Sequence, residues 1–338
     1  MKAVIMAGGL GTRLRAVTGD RPKPMAELLG RPVMEHIVTL LRRYGFTELC
    51  TTLRYRAEDI IAYFGDGSRF GVSMEYRIEE EVLGTAGGVR NCAGFCGDDD
   101  FLVISGDAAC DFDLARLMAE HRNSGAAVTL ALYRHEMPLR YGTVVTDGEG
   151  WVRSFVEKPD WDRVVTDLVN TGIYVISPRV MTYVPEGTSF DFAKDFFPLL
   201  LRSGERLLGV PMEGYWCDIG DPLSYYRCCA DALEGKLKLE LPEKFRRERR
   251  ADDEHSETDG LICACHSRAA LMAALSELLL DMGADYSDGL RLHGRGYELH
   301  IAPLAARSAI GIDVRSEDAE FAAELALSAK NLAEALNL

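Results

Sequence analysis

KAVIMAGGLGTRLRAVTGDRPKP, residues 2–24, joins a short apolar run to a segment rich in glycine and basic residues. The apolar run is typical of a buried parallel strand, so the glycines lie at the strand end, where α/β folds bind ligands. The loop can bring several backbone N–H groups close to one anion, and two side chains add positive charge around it. The residues concerned are Gly8, Gly9, Gly11, Arg13 and Lys23. The stretch therefore predicts a site for a polyphosphate.

Two other kinds of phosphate loop do not fit these glycines. A P-loop needs a Gly-Lys-Ser/Thr triplet, and none follows Gly8. A dinucleotide-binding fingerprint needs a third glycine for close helix packing, and Leu14 stands after Arg13 instead. Both classes are excluded by the residues present.

The same stretch resembles the signature of the sugar-1-phosphate nucleotidyltransferases, in which G-G-x-G-T-R-L is followed by P-K-P. Here the two elements are Gly8–Leu14 and Pro22–Pro24, and Gly30–Pro32 stands in place of the family's following G-K-P. The resemblance implies an α/β protein with a Rossmann-like, mostly parallel sheet, the nucleotide-diphospho-sugar transferase fold. It also implies a nucleotide site that includes Ala7, Gly8, Gly9, Gly11, Thr12 and Arg13.

Length and composition bound the kind of protein. A chain of 338 residues suits a large α/β domain plus a smaller one, and 47% apolar residues suit a globular core. The formal charge of −15 argues against nucleic acid as a partner. No apolar run approaches the roughly 18 residues of a membrane span, and the N-terminus begins directly on a strand, so we expect a soluble, cytoplasmic protein with no membrane partner. The 9 cysteines form no paired C-x-x-C units, which favours reduced thiols over a zinc site.

Helical and strand patterns alternate after the loop. The sequence predicts a helix over 34–41, a strand near 51–53, a helix near 58–64 and a strand near 72–76. This alternation predicts a mostly parallel sheet.

A further buried strand, Phe101–Ile104, runs into Asp107 and places a carboxylate at the carboxyl edge of the sheet. A carboxylate beside a triphosphate repels it unless a hard cation lies between them, so we predict Asp107 as a ligand of magnesium. Asp111 is predicted to be the N-cap of a helix over 112–122.

Residues 79–88, EEEVLGTAGG, end an extended segment and open a helix with small residues. Small residues at a helix start permit the close approach of a flat group. The resemblance implies that this run lies beside the nucleobase, with Glu81, Gly84 and Thr85 in the nucleotide site. Tight packing of the helix on the sheet is the alternative, and the residues alone leave both open.

Two later elements match family motifs. Strands near 141–145 and 152–156, joined by a turn, lead into Glu157-Lys158-Pro159. A later strand begins with Asn170-Thr171-Gly172. These are the family's E-K-P and N-T-G elements.

The resemblance implies a sugar-phosphate site made of Gly142, Glu157, Lys158, Asn170, Thr171 and Asp191. Lys158 is then the cation for the phosphate, and Glu157 and Asn170 hydrogen-bond to hydroxyls. A surface turn is the alternative for the E-K-P element. Asp191 also suits a helix N-terminus by charge alone.

Tyr215–Gly220, YWCDIG, matches the family's W-x-D-I-G, which the resemblance gives as a second metal-binding element. Asp221 and Pro222 predict a helix start directly after it. Two aspartates on separate strand-end loops, Asp107 and Asp218, can hold one Mg²⁺, which is the cofactor we predict.

The sequence predicts three regions. A nucleotidyltransferase domain covers 1–235, a charged linker covers 236–260, and 261–338 form a small α+β domain. In that last region we predict a helix over 268–282, strands near 290–292, 298–301 and 309–314, and a final helix over 317–336. It resembles the last domain of the phosphohexomutases but lacks their glycine-containing phosphate loop, so we expect no mutase activity and a role in assembly or regulation.

The predicted reaction needs no catalytic base. A sugar phosphate is largely dianionic at neutral pH, so the difficulty is bringing two anions together, and catalysis comes from position and charge. We predict in-line attack by the sugar phosphate on the α-phosphorus of a nucleoside triphosphate, with pyrophosphate leaving. The predicted catalytic residues are Arg13, Lys23, Asp107, Lys158 and Asp218.

The first domain most resembles the guanylyltransferases that act on mannose 1-phosphate, so GTP and mannose 1-phosphate are the predicted substrates. Transferases for glucose or heptose phosphates that use UTP, CTP or dTTP are the alternatives within the class. A nucleotide-sugar-sensing subunit without turnover is the alternative outside it. We expect a homo-oligomer.

Overall fold

The structure is a computed structural model. It describes residues 1–135, 137–157, 165–233, 235–240, 256–257, 261–264, 275, 290–294, 297–303, 309–316 and 318–336. Lys158 and almost all of the predicted helix over 268–282 lie outside the described residues.

The strands of the described chain are β1 (Lys2–Ala7), β2 (Glu27–Leu28), β3 (Arg31–Pro32), β4 (Glu48–Leu53), β5 (Ser73–Ile78), β6 (Phe101–Ser105), β7 (Ala108–Cys110), β8 (Val128–Arg134), β9 (Gly142–Thr146), β10 (Val152–Glu157), β11 (Leu168–Ile176), β12 (Leu207–Pro211), β13 (Trp216–Asp218), β14 (Ser256–Glu257), β15 (Leu261–Ala264), β16 (Leu290–Gly294), β17 (Tyr297–Pro303) and β18 (Ala309–Ser316). The α-helices are α1 (Arg15–Thr18), α2 (Val33–Arg43), α3 (Ala57–Phe64), α4 (Gly84–Arg90), α5 (Ala93–Cys96), α6 (Leu114–Ser124), α7 (Phe197–Arg202), α8 (Pro222–Leu233) and α9 (Ala319–Leu336). A π-turn, Phe192–Phe196, leads into α7.

The chain divides into two compact units. Unit 1 comprises Met1–Thr12, Asp20–Ile219 and Leu237–Glu240. Unit 2 comprises Arg13–Gly19, Gly220–Lys236 and the described residues of Leu241–Leu338. The sequence-based domain boundaries stay a prediction.

A large mixed sheet forms the centre of unit 1, and its first half is parallel. The order β6-β1-β4-β5 places β1 between two parallel neighbours. The chain moves outward from β1 through β4 to β5 and then returns to β6 on the other side of β1. Such a reversal opens a crevice at the carboxyl edge of an α/β sheet. The predicted α/β class with a mostly parallel, Rossmann-like sheet is confirmed.

The other half of the sheet is built around β11. This strand pairs antiparallel with β6, β8 and β9, and β9 forms the predicted hairpin with β10. Strand β12 adds a parallel pair on β8.

Continuous apolar runs explain why the central strands are buried on both faces. Ala3, Val4 and Ile5 in β1 are fully buried, as are Leu102–Ile104 in β6. Helices on the two faces exclude water from such strands. The polar and glycine residues that follow each run therefore come together at one edge.

Unit 2 contains an antiparallel sheet of β14 to β18. The predicted strands near 290–292, 298–301 and 309–314 are present as β16, β17 and β18, and the final helix is α9. This helix buries alanines at helical spacing, and it contacts β18 and α1. Ser256–Glu257 form a strand inside the region predicted as linker.

Within the described residues we find no helix with the length and apolarity needed to cross a bilayer.

The predicted capping role of Asp111 is wrong. Helix α6 begins at Leu114, and Asp113 caps it by accepting a hydrogen bond from the N–H of Arg116. Asp111 instead accepts hydrogen bonds from the N–H groups of Tyr215 and Lys238, at 2.7 and 3.0 Å. Because these donors are distant in sequence, the local pattern before the helix did not reveal them.

Gly84 allows a stability test of the unit 1 packing. Its φ is +69°, and an added Cβ would lie 2.7 Å from the carbonyl oxygen of Phe190. We expect Gly84→Ala to lower the free energy of unfolding by about 1–3 kcal/mol, measured by urea denaturation. Gly94→Ala is the matched control, because nothing lies within 4 Å of its added Cβ. An equal loss in both variants would contradict this explanation.

Candidate active site

The predicted metal residues lie together at the carboxyl edge. Asp107 follows β6, and Asp218 ends β13, which pairs with β7 so that Asp218 stands opposite Ala108. The Nζ of Lys23 lies 2.6 Å from Oδ2 of Asp107 and 3.2 Å from Oδ1 of Asp218. One ammonium is therefore shared by two carboxylates from different strands.

The opposite charges in this cluster shift the pKa values of Lys23 and Asp107 toward their ionised forms. Burial alone would lower the pKa of Lys23, but the charges of Asp107 and Asp218 outweigh burial and raise the pKa above its usual value. Burial likewise raises the pKa of Asp107, but the Lys23 charge and hydrogen bonds bring the net shift downward. The hydroxyl of Ser105 donates one of these bonds to Oδ1 of Asp107 over 2.6 Å. Lys23 and Asp107 therefore stay ionised at neutral pH.

The two carboxylates fit a magnesium ion that binds together with a polyphosphate. Both reach one cation, as their shared contacts with Lys23 show. Within the described part of the chain, no group of three or more His, Cys, Asp or Glu side chains is placed to hold a metal. Mg²⁺ commonly takes one or two protein carboxylates and completes its shell with water and phosphate oxygens. A two-carboxylate site suits that ion.

The glycine loop passes directly over the lysine. Ala7 is buried at the end of β1, whereas Gly9 and Thr12 are exposed. Gly11 has a φ of +58°, and an added Cβ would lie 2.7 Å from Cβ of Lys23. Only glycine permits this approach without displacement of backbone or lysine. The loop and the charge cluster therefore form one local structure in unit 1. Arg13 is exposed and belongs to unit 2.

A buried carboxylate beside the loop was missed by the sequence analysis. Glu79 follows β5 and is 9% exposed, whereas the predicted Glu81 is exposed. An added Cβ on Gly8 would lie 3.4 Å from Oε1 of Glu79, and one on Gly88 would overlap it. The N–H of Leu83 donates to Oε2 over 3.5 Å, and burial raises the pKa of Glu79. Its position directly after a strand was the available signal.

Thr85, predicted beside the nucleobase, is hydrogen-bonded to Asp191, predicted beside the sugar. The hydroxyl of Thr85 donates to Oδ2 of Asp191 over 2.9 Å and accepts from the N–H of Phe192 at 2.9 Å. Asp191 also caps the turn that follows, accepting from the N–H groups of Ala193 and Lys194. Tight backbone packing thus explains these small residues at the helix start, and a role beside the base stays a prediction.

A cavity of about 260 Å³ is lined in part by residues predicted for the sugar phosphate, and that role stays a prediction. Its lining residues are Gly142, Thr143, Phe155, Val156, Asn170, Ala193, Lys194 and Pro198. Gly142 and Asn170 were predicted, and Glu157 stands opposite Gly142 in the β9–β10 pair. Lys194 is a cation that the sequence analysis did not select.

Thr171 is not brought to this lining. It is 2% exposed, and its hydroxyl donates to the carbonyl of Ala131 over 2.7 Å. Its own carbonyl accepts from Nε1 of Trp216 at 3.1 Å. The described contacts of Thr171 therefore fix strand β11 rather than reach the cavity.

Comparison with known proteins gives the class. The family model described as "Nucleotidyl transferase" matches residues 2–235. The chain is 34% identical over 293 residues to a mannose-1-phosphate guanylyltransferase of Mycobacterium tuberculosis, covering 86% of this chain and 78% of the relative.

The chain belongs to the nucleotidyl transferase family.

Two further relatives show the range of this family. A UTP–glucose-1-phosphate uridylyltransferase of Synechocystis is 39% identical over 256 residues, covering 72% of this chain and 66% of the relative. The crystal structure of HddC from Yersinia pseudotuberculosis complexed with GMP-PN is 31% identical with a TM-score of 0.59, and covers 68% of this chain and 97% of that one.

The resemblance read from the glycine loop is confirmed, and the protein is a sugar-1-phosphate nucleotidyltransferase. Nucleotidyl transferases of this family bind a nucleoside triphosphate and a sugar 1-phosphate, and they generally use divalent metal ions.

Glu79 gives this nucleotidyl transferase a testable pH dependence. Because its carboxyl pKa is raised above the ordinary 4.5, the folded state keeps the proton to higher pH than the unfolded state. Stability contributed by the protonated form is lost as pH rises from the unfolded pKa through the folded pKa. We expect Glu79→Gln to melt at a higher temperature than the wild type at pH 7–8, with the difference vanishing below about pH 4. Exposed Glu81→Gln is the control, and a pH-independent difference for Glu79→Gln would contradict the assignment.

Proposed function

We propose that this nucleotidyl transferase transfers GMP from GTP to mannose 1-phosphate, forming GDP-mannose and releasing pyrophosphate. The observation that carries the proposal is the Lys23, Asp107 and Asp218 cluster beside the glycine loop. Such a site combines backbone donors, a cation and a pair of metal-binding carboxylates, which are the groups that phosphoryl chemistry requires.

The glycine loop holds the triphosphate in this proposal. Asp107 and Asp218 hold Mg²⁺, which when bound neutralises charge on the phosphoryl oxygens. Lys23 and Lys158 bind the incoming phosphate, and Lys23 also reaches the triphosphate that the loop holds. Attack is in line on the α-phosphorus, so these residues orient two anions and offset their repulsion.

The sugar phosphate occupies the cavity lined by Gly142, Asn170 and Lys194. Glu157 and Asn170 hydrogen-bond to sugar hydroxyls, and Lys194 adds a second cation for the phosphate. Asp191 shapes this wall through its contacts with Thr85 and the turn. No side chain has to remove a proton, because the attacking phosphate is already ionised at neutral pH.

Glu79 supports guanine as the base. A carboxylate accepts hydrogen bonds at two oxygens, and guanine offers two adjacent donors, the N1–H and the 2-amino group. Uracil and thymine offer one N–H on the corresponding edge. Glu79 lies against Gly8 and Gly88, at the same carboxyl edge as the polyphosphate loop. The similarity to a mannose-1-phosphate guanylyltransferase over 86% of the chain points the same way.

A pyrophosphate-release panel tests the substrate assignment. GTP, UTP, CTP and dTTP are each paired with mannose, glucose and heptose 1-phosphates, with magnesium present. We expect the highest kcat/KM with GTP and mannose 1-phosphate. If kcat/KM is highest with UTP and glucose 1-phosphate, the enzyme is instead a uridylyltransferase like the 39% identical relative from Synechocystis. No turnover with any pair, combined with tight nucleotide-sugar binding, would favour a sensing subunit.

Removal of either metal-binding charge should stop turnover. We expect Asp107→Asn and Asp218→Asn each to lower kcat by at least about 10²- to 10³-fold, because charge stabilisation at the reacting phosphate is lost. Exposed Asp99→Asn is the control for loss of one carboxylate. Circular dichroism checks that each variant is folded. Near-normal rates in both active-site variants would refute their role.

The two nearby glutamates can be compared directly. We expect Glu79→Gln to lower kcat/KM for GTP by about 10- to 100-fold, since hydrogen bonds to a charged group contribute about 1.5–3 kcal/mol. The loss of kcat/KM for UTP should be smaller, so the ratio of kcat/KM for GTP to kcat/KM for UTP decreases. The same measurement on Glu81→Gln decides between the two residues. A larger loss of GTP selectivity in Glu81→Gln would place the base beside Glu81 instead.

A further inference from the structure

One ammonium occupies the position between the two carboxylates. Nζ of Lys23 contacts Oδ2 of Asp107 at 2.6 Å and Oδ1 of Asp218 at 3.2 Å. The Lys23 side chain is 12% exposed, against 27% for Asp107 and 35% for Asp218. The lysine is thus the most enclosed member of the cluster.

The backbone and Cβ of Lys23 are fixed by their surroundings. Gly11 packs so closely that an added Cβ would lie 2.7 Å from Cβ of Lys23. Lys23 also begins the short 3₁₀ turn Lys23–Met25, which fixes its backbone. The side chain of Lys23 therefore starts from a fixed point, and it is largely enclosed where it meets the two acids.

The same carboxylate oxygens cannot serve an ammonium and a divalent ion at full strength together. Asp107 has both oxygens engaged, Oδ2 by Lys23 and Oδ1 by the hydroxyl of Ser105. Oδ1 of Asp218 accepts a hydrogen bond from Lys23. A divalent ion that binds between the same oxygens competes with Lys23, and the cost of displacing the ammonium lowers the apparent affinity for the ion.

A nucleotide provides a new partner for the displaced lysine. Lys23 lies directly beneath the glycine loop, so phosphate oxygens bound to that loop come within reach of its flexible end. We propose that Lys23 keeps the two carboxylates together in the free protein, excludes a divalent ion from them, and releases them when a nucleotide draws the ammonium away. Metal and nucleotide then bind with positive coupling. The proposal rests on the proposed function, since it takes Asp107 and Asp218 as the metal pair.

Binding of Mn²⁺ alone to the full-length protein tests this role without any substrate. Affinity is measured by electron paramagnetic resonance of free Mn²⁺ and by calorimetry. We expect Lys23→Gln to bind Mn²⁺ at least about tenfold more tightly than the wild type, because two facing carboxylates lose their cation. Lys236→Gln is the matched control, since it removes the same charge from a surface pair with Asp231. Lys23→Arg keeps the charge and should keep the weak affinity.

A double variant shows where the gain arises. Adding Asp218→Asn to Lys23→Gln should abolish the tighter binding. Melting temperature gives a second readout: Lys23→Gln should melt below the wild type without metal and gain more from added Mn²⁺. For the wild type, which needs no folding control, a non-hydrolysable GTP analogue should tighten Mn²⁺ binding to the protein by at least about tenfold, after correction for the Mn²⁺ that the analogue binds without protein.

Two results would overturn the proposal. One is Mn²⁺ binding in Lys23→Gln that is no tighter than in the wild type or in Lys236→Gln. The other is wild-type binding of Mn²⁺ that is equally tight with and without the nucleotide analogue. Failure of the substrate assignment is separate, because Mn²⁺ binding to Lys23→Gln without nucleotide does not depend on which base or sugar the enzyme accepts. The analogue measurement is therefore made with the triphosphate that gives the highest kcat/KM in the pyrophosphate-release panel.

Discussion

Lys23 lies between two carboxylates that would otherwise repel each other at the carboxyl edge of the sheet. Asp107 and Asp218 come from strands far apart in sequence, and the ammonium at 2.6 and 3.2 Å joins them. This interaction brings the end of β6, the end of β13 and the glycine loop to one point. Because the lysine is largely enclosed, its charge is poorly screened by water, and the attraction is stronger than in an exposed pair.

The parallel block of the sheet explains why such a cluster forms. Strands β1 and β6 are adjacent and point in the same direction, so the loops that follow them meet at one edge. The glycines in the first loop and Asp107 after the second are therefore neighbours by topology. Glu79 reaches the same edge from β5, and burial raises its pKa. The large sheet thus brings Asp107 and Glu79 beside a loop suited to phosphate, and the β7–β13 pair adds Asp218. In our proposal the triphosphate, metal and base are recognised there together.

The sequence predicted the central fold because its signals were local: apolar runs ended by glycine or aspartate. It did not predict that Glu79, the first of three consecutive glutamates, is the one that is buried. The room for its carboxylate exists because Gly8 and Gly88, which belong to other elements, have no side chains. Thr171 was assigned to the sugar, yet the register of β11 shifts between Asn170 and Tyr174 and its hydroxyl bonds within the sheet. Periodicity does not reveal such a shift. Lys194 was passed over for a similar reason, because the cavity that it lines is formed by strands from elsewhere.

Anomalous diffraction from crystals grown with Mn²⁺, a non-hydrolysable GTP analogue and mannose 1-phosphate would locate the metal and the ammonium of Lys23 in one experiment. If the proposed metal site is right, we expect a manganese peak coordinated by both Asp107 and Asp218, with the ammonium of Lys23 moved onto a phosphate oxygen. A peak bound by neither aspartate, or a Lys23 still bridging the two acids with substrates in place, would contradict it.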